Sequence, residues 1–148
     1  TLFRSFLGLA LIVLGWRSAK VEYLWQPSPA FYWPAVSLVL LGVFLFLVSQ
    51  RPTRLKNWLK HPQLVGVLCW GIGHLALNPD NRSLVLFGGL AAWSSVEIIS
   101  ITQRDGAPSS GAPASLTVEL LGFLVTAALI AVLIWAHQWF AGVPIGLF

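Results

Sequence analysis

Five ionisable side chains lie within or at the edge of apolar stretches of this 148-residue chain: His61, His74, His137, Glu97 and Glu119. Ionisable groups are costly inside a bilayer, so each is a candidate for function. His61 and His74 are 13 residues apart. On one straight helix that is ~20 Å along the axis and about 220° around it, so the two cannot share a metal. His74 and His137 are a different case, because each falls just before the end of its apolar stretch. Two neighbouring helices running the same way would carry both imidazoles at one depth, on opposite faces of a haem or on one metal ion. Gly71, about one turn ahead of His74, would leave room for a flat macrocycle. A b-type haem takes imidazole ligands and needs no CxxCH, and the sequence has none. A four-ligand zinc site is disfavoured, since Cys69 is the single cysteine and no Cys/His cluster exists. The plainer alternative is a pair of interfacial histidines bonded to water or carbonyls.

Glu97, Glu119 and His61 fall at the opposite level. They suggest a second polar site or a proton relay. Against that, Glu119 suits a helix N-terminus through the macrodipole, and Glu97 is within reach of Arg104 or Lys60. No Ser/His/Asp or Cys/His triad emerges, and no phosphate-binding glycine loop.

The elements that must position these residues are membrane helices. Only 9% of residues are charged, 57% are hydrophobic and mean hydropathy is +0.78, against ~25% charged in a soluble domain. An aqueous globule, a nucleic-acid binder and a disordered chain are thereby excluded. Eight Trp and nine Phe supply the aromatic load of membrane interfaces. A span needs ~20 apolar residues, and five stretches approach that: Leu2–Ala19, Phe31–Ser49, His61–Leu77, Ser83–Ile101 and Leu116–Phe140. The expected fold is an all-α bundle of about five transmembrane spans in one domain covering residues 1–148. Residues 102–115 (TQRDGAPSSGAPAS) read as a flexible loop. Arg51–Lys60 (RPTRLKNWLK) reads as a basic juxtamembrane segment facing anionic lipid. The chain starts at Thr1 and contains no Met, which suggests a fragment or processed product.

Arg4, Arg51, Arg54, Lys56, Lys60 and Arg104 fall on one side of these spans, and Arg17, Lys20 and Arg82 on the other. The richer side is expected to be cytoplasmic, with the C-terminus outward.

The segment from Leu59-Lys60-His61-Pro62 through Gly66 and Trp70 to His74-Leu75 resembles the signature of the NnrU family. So do Ser83-Leu84-Val85-Leu86-Phe87-Gly88 leading to Trp93, and the ending His137-Gln138-Trp139-Phe140-Ala141-Gly142-Val143-Pro144. The resemblance covers nearly the whole chain. It implies a multi-spanning protein of a bacterial inner membrane, in a family associated with denitrification. That family is similar to plant zeta-carotene isomerase, a haem-b enzyme. All three histidines fall on family-like positions, so the resemblance implies haem b held by His74, His137 or His61, and cis–trans isomerisation of a carotenoid or other polyene. It also implies an earlier helix with its own histidine, absent here, which would pair with His61 or His74. A non-catalytic accessory or redox-sensing role in nitrogen-oxide metabolism is the second reading. The HPxxxG stretch is also similar to isoprenylcysteine-type methyltransferases, whose later acidic cofactor motif has no counterpart here. Membrane lipid and an apolar small molecule are the expected partners, and the oligomeric state is open.

Overall fold

The computed structural model describes residues 2–105 and 115–141, and these are helical apart from turns and one isolated backbone bridge. The helices are α1 (Leu2–Ser18), α2 (Tyr32–Ser49), α3 (Leu55–Trp58), α4 (Pro62–Leu77), α5 (Asn81–Ser83), α6 (Gly89–Asp105) and α7 (Leu116–Ala141). A π turn, Leu84–Gly88, joins α5 to α6, so that Asn81–Asp105 forms one rod of 25 residues. Proline sets several boundaries. A 3₁₀ turn at Pro29–Phe31 leads into α2, whose Pro34 sits harmlessly in the first turn. Pro62 is the first residue of α4, where its missing N–H costs nothing. At the far end, the Asn78 N–H and Nδ2 both donate to the His74 carbonyl, 2.9 and 2.8 Å, and Pro79 then forbids continuation.

Three segments are long and apolar enough to cross a membrane: Pro29–Ser49, Asn81–Asp105 and Leu116–Trp139. α4 is shorter. Its 16 residues extend ~24 Å, less than the ~30 Å hydrocarbon core. The helix α6 also runs on through Thr102–Asp105, residues assigned above to the following loop. Gln103 and Arg104 are good helix formers, and the Arg104 Nε donates to Asp105 Oδ1 at 3.0 Å. The remainder of that loop, 106–114, lies outside the described residues.

The core is a glycine seam. α2 and α4 run antiparallel and are the most intimately packed pair. A Cβ on Gly42 would lie 2.6 Å from the Gly66 carbonyl oxygen, and one on Gly73 would lie 2.7 Å from the Ala35 carbonyl oxygen. Gly42 and Ala35 are seven residues apart, as are Gly66 and Gly73, so two turns of each backbone meet without side chains between them. α6 packs on another face of α4, and α7 packs on α2, with Phe44 and Phe123 edge to face at 6.1 Å. The helices therefore stand in the order α6, α4, α2, α7. Few large side chains are buried, whereas Leu, Val, Phe and Trp line the outside of α1, α6 and α7. That arrangement suits lipid. Two buried hydroxyls inside the long helices bond within their own helix, Ser94 Oγ to the Ala91 carbonyl (3.0 Å) and Thr126 Oγ1 to the Gly122 carbonyl (2.8 Å).

α1 stands at the flank beside α6, held mainly at its C-terminal end. Beyond it the chain is strapped to the α4–α5 turn: Leu24 N–H donates to the Pro79 carbonyl (2.7 Å), Asn81 N–H to the Glu22 carbonyl (3.0 Å) and Asn81 Nδ2 to the Lys20 carbonyl (3.0 Å). Asp80 stabilises this turn by accepting from Ser83 N–H at 3.0 Å and Ser83 Oγ at 2.9 Å. Burial by itself would raise the Asp80 pKa. The Ser83 hydrogen bonds and the Arg82 charge outweigh it and hold the carboxyl below its ordinary value. Its stabilisation is therefore complete above the ordinary carboxylate pKa and is lost as pH falls through the lower folded one. Asp80→Ala should weaken the turn by about 1 kcal/mol at neutral pH and remove that acid-side dependence. Hydrogen exchange of the Ser83 and Asn81 amides, compared between pH 7 and pH 3, checks this.

Candidate functional site

His74 lies in the last turn of α4 within an aromatic box. Its ring is stacked on Phe87 at 4.7 Å and 28°, and Trp70, one turn earlier, closes the other approach at 4.4 Å. Nδ1 is 3.0 Å from the Trp70 carbonyl oxygen. A carbonyl only accepts, so Nδ1 carries the hydrogen and the neutral ring keeps its lone pair on Nε2. This is the outer hydrogen bond that orients a metal-binding histidine. The π turn delivers Phe87 to this position, and Phe87 also meets Trp16 of α1 at 6.1 Å.

A cavity of about 360 Å³ opens beside this box. His74 and His137 both line it, from α4 and α7, and Tyr32, Val36, Val39 and Leu40 of α2 form the wall between them. Because α2 is antiparallel to both α4 and α7, the C-terminal ends of α4 and α7 share one end of the bundle. Among the described residues no group of three or more His, Cys, Asp or Glu could hold a metal ion. The imidazoles that line the cavity are those of His74 and His137.

The other predicted residues lie elsewhere. His61 is the N-cap residue of α4, a whole helix away from His74, and its Nε2 is buried without a hydrogen-bond partner among the described residues. Glu119 is tied to the α2–α3 connection: Thr53 Oγ1 donates to Oε2 at 3.1 Å, and the Arg54 N–H donates to Oε1. Arg51 completes this corner by lying over Gly122 and donating from Nη1 to Thr126 Oγ1 at 3.1 Å. Glu97 is on α6, across the α2–α4 pair from α7, so the structure does not bring it to Glu119. Arg104, one expected partner of Glu97, bonds Asp105 instead.

Gly71 also has a different role from the one expected. A Cβ there would stand 2.9 Å from the Phe87 carbonyl oxygen, so the missing side chain admits the π-turn backbone and not a macrocycle. Sequence reasoning missed Phe87 and Tyr32 as neighbours of the histidines. The Trp70–His74 spacing of four was a visible signal for one wall of the box, whereas the π turn that supplies the other had none.

Neither the curated proteins nor the solved structures contain a match to the chain. A family model described as NnrU protein matches residues 3–145. That span takes in the seam glycines, the aromatic box and both cavity histidines, and on it the chain belongs to the NnrU family of membrane proteins.

Proposed function

We propose that this NnrU family member holds b-type haem between His74 and His137 and acts as a cis–trans isomerase of an apolar polyene. One observation carries the reading: two imidazoles from separate helices line a single, mostly apolar cavity at one end of the bundle. Two imidazoles from separate helices would hold a porphyrin iron better than they would complete a four-ligand zinc site. When bound, haem supplies a redox-active iron whose electronics its axial ligands set. The chain's own contributions are positional. The Trp70 carbonyl fixes the His74 tautomer, Trp70 and Phe87 hold the ring, and Val36, Val39 and Leu40 give a wall that excludes water and accepts hydrocarbon. The distribution of Lys and Arg supports placing this end of the bundle on the non-cytoplasmic side.

Protein purified after expression with supplied haem should show a low-spin b-type spectrum, with the pigment extracted by acid–acetone. Folded protein without a Soret band under those conditions would refute the proposal. With the spectrum in hand, a cis-polyene in proteoliposomes, assayed with and without reductant, separates an isomerase from a haem protein without this activity.

A further inference from the structure

A second cavity lies away from the histidines. A cleft of about 550 Å³ separates α1 from the π turn and α6. Two glycines face into it, Gly15 from α1 and Gly89 from α6, and a Cβ built on either meets no atom within 4 Å. The contrast with the seam is direct: Gly42, Gly66, Gly71 and Gly73 are glycine because backbone fills the space beside them. At Gly15 and Gly89 the space is open. Leu11, Ile12, Leu86 and Leu90 make the rest of the cleft apolar along the direction of the helices.

Its remaining end is polar. Arg82 lies there, at the start of the 25-residue rod, with its guanidinium carbon 4.6 Å from the centroid of the Trp16 ring. Of its five N–H donors, Nη1 donates to the Trp16 carbonyl at 3.2 Å. Nε is buried with no hydrogen-bond partner among the described residues, and Asp80 Oδ1 is 3.6 Å from it. Asp80 forms an ion pair with the guanidinium, but at 3.6 Å its Oδ1 is beyond hydrogen-bond distance of Nε, so it takes none of the Arg82 donors. Arg17 and Lys20 add positive charge where α1 ends. A cation with unspent donors, at the interface end of an apolar cleft, complements an anionic oxygen head on a hydrocarbon chain. The N-terminal end of the rod favours the same sign.

We infer that the α1–α6 cleft binds one anionic phospholipid, its phosphate group at Arg82 and an acyl chain along Gly15, Leu86 and Gly89. The site is independent of haem. Arg suits the phosphate by presenting paired donors. The glycines keep the trough open for the chain.

The test is native mass spectrometry of delipidated full chain in detergent, titrated separately with dioleoyl phosphatidylglycerol and dioleoyl phosphatidylcholine. One phosphatidylglycerol should be retained, about tenfold more tightly than phosphatidylcholine, as expected for one charge-assisted interaction. Gly89→Leu and Gly15→Leu each fill the cleft without meeting backbone, and each should lower phosphatidylglycerol retention at least tenfold while circular dichroism stays that of the unaltered protein. Arg82→Gln should abolish the preference between the two lipids. Retention unchanged in both leucine variants would overturn the inference. So would equal affinity for the two lipids in the unaltered protein, or a dimer peak that the leucine variants remove, since the cleft would then be seating a second copy.

Discussion

His74→Ala and His137→Ala are each expected to abolish the low-spin haem spectrum, and His61→Ala to leave it largely intact. On the proposed reading each cavity imidazole would be one of two haem ligands, so removing either would leave the iron without a strong sixth ligand. The low-spin signature then disappears even if pigment is retained. His61 caps the opposite end of α4, ~20 Å from His74 along the helix axis. The obvious objection is that His74→Ala also empties the box between Trp70 and Phe87 and loosens the fold. Added imidazole answers it. In His74→Gly the free ligand should restore the low-spin bands when the defect is one of ligation, and should leave them unrestored when packing has failed. Equal spectral loss in all three alanine variants, without rescue, would mean general destabilisation. Selective loss in His61→Ala would move the haem to the other end of the bundle and refute the assignment.

The shared level of His74 and His137 was legible in the sequence because it depends on few quantities. Hydropathy places helices, short connections make neighbours antiparallel, and rise per residue converts position into depth. Which face of each helix points where was much less legible. In a soluble helix the polar face marks the outside. In this chain both the lipid and the core are apolar, so Leu, Val and Phe carry no directional information. That is why Gly71 was read as facing a cofactor when it faces the Phe87 backbone. It is also why Glu97 and Glu119, grouped by depth in the sequence, could still be separated by two intervening helices. The π turn at Leu84–Gly88 was hidden for another reason. One extra residue in a helical turn shifts every side chain that follows, and the apolar run LVLFG carries no signal for it.

Small residues are the informative ones in such a chain, which leads to the second large effect. Gly42→Leu and Gly66→Leu should each prevent assembly of the bundle, whereas Gly89→Leu should not. A Cβ at Gly42 would stand 2.6 Å from both the Gly66 carbonyl oxygen and the Trp70 amide nitrogen, and one at Gly66 would stand 2.7 Å from the Gly42 carbonyl oxygen. These obstacles are backbone atoms of a facing helix, so no rotamer change relieves the contact. The α2–α4 pair would have to separate. Since α6 rests on α4 and α7 on α2, separation would also displace the two walls that carry Phe87 and His137. Overpacking of a well-filled core costs ~1–3 kcal/mol when neighbours adjust, and backbone against backbone leaves little room to adjust, so the upper end of that range is expected. Without a hydrophobic drive between helices in lipid, close van der Waals packing supplies much of the association. The loss is therefore expected to appear as disassembly of the helices with helix content retained. Thermal unfolding in detergent, read by near-ultraviolet circular dichroism of the tryptophans while the far-ultraviolet signal persists, measures it. A Gly42→Leu protein that melts like the unaltered one would show that the seam does not hold the bundle together.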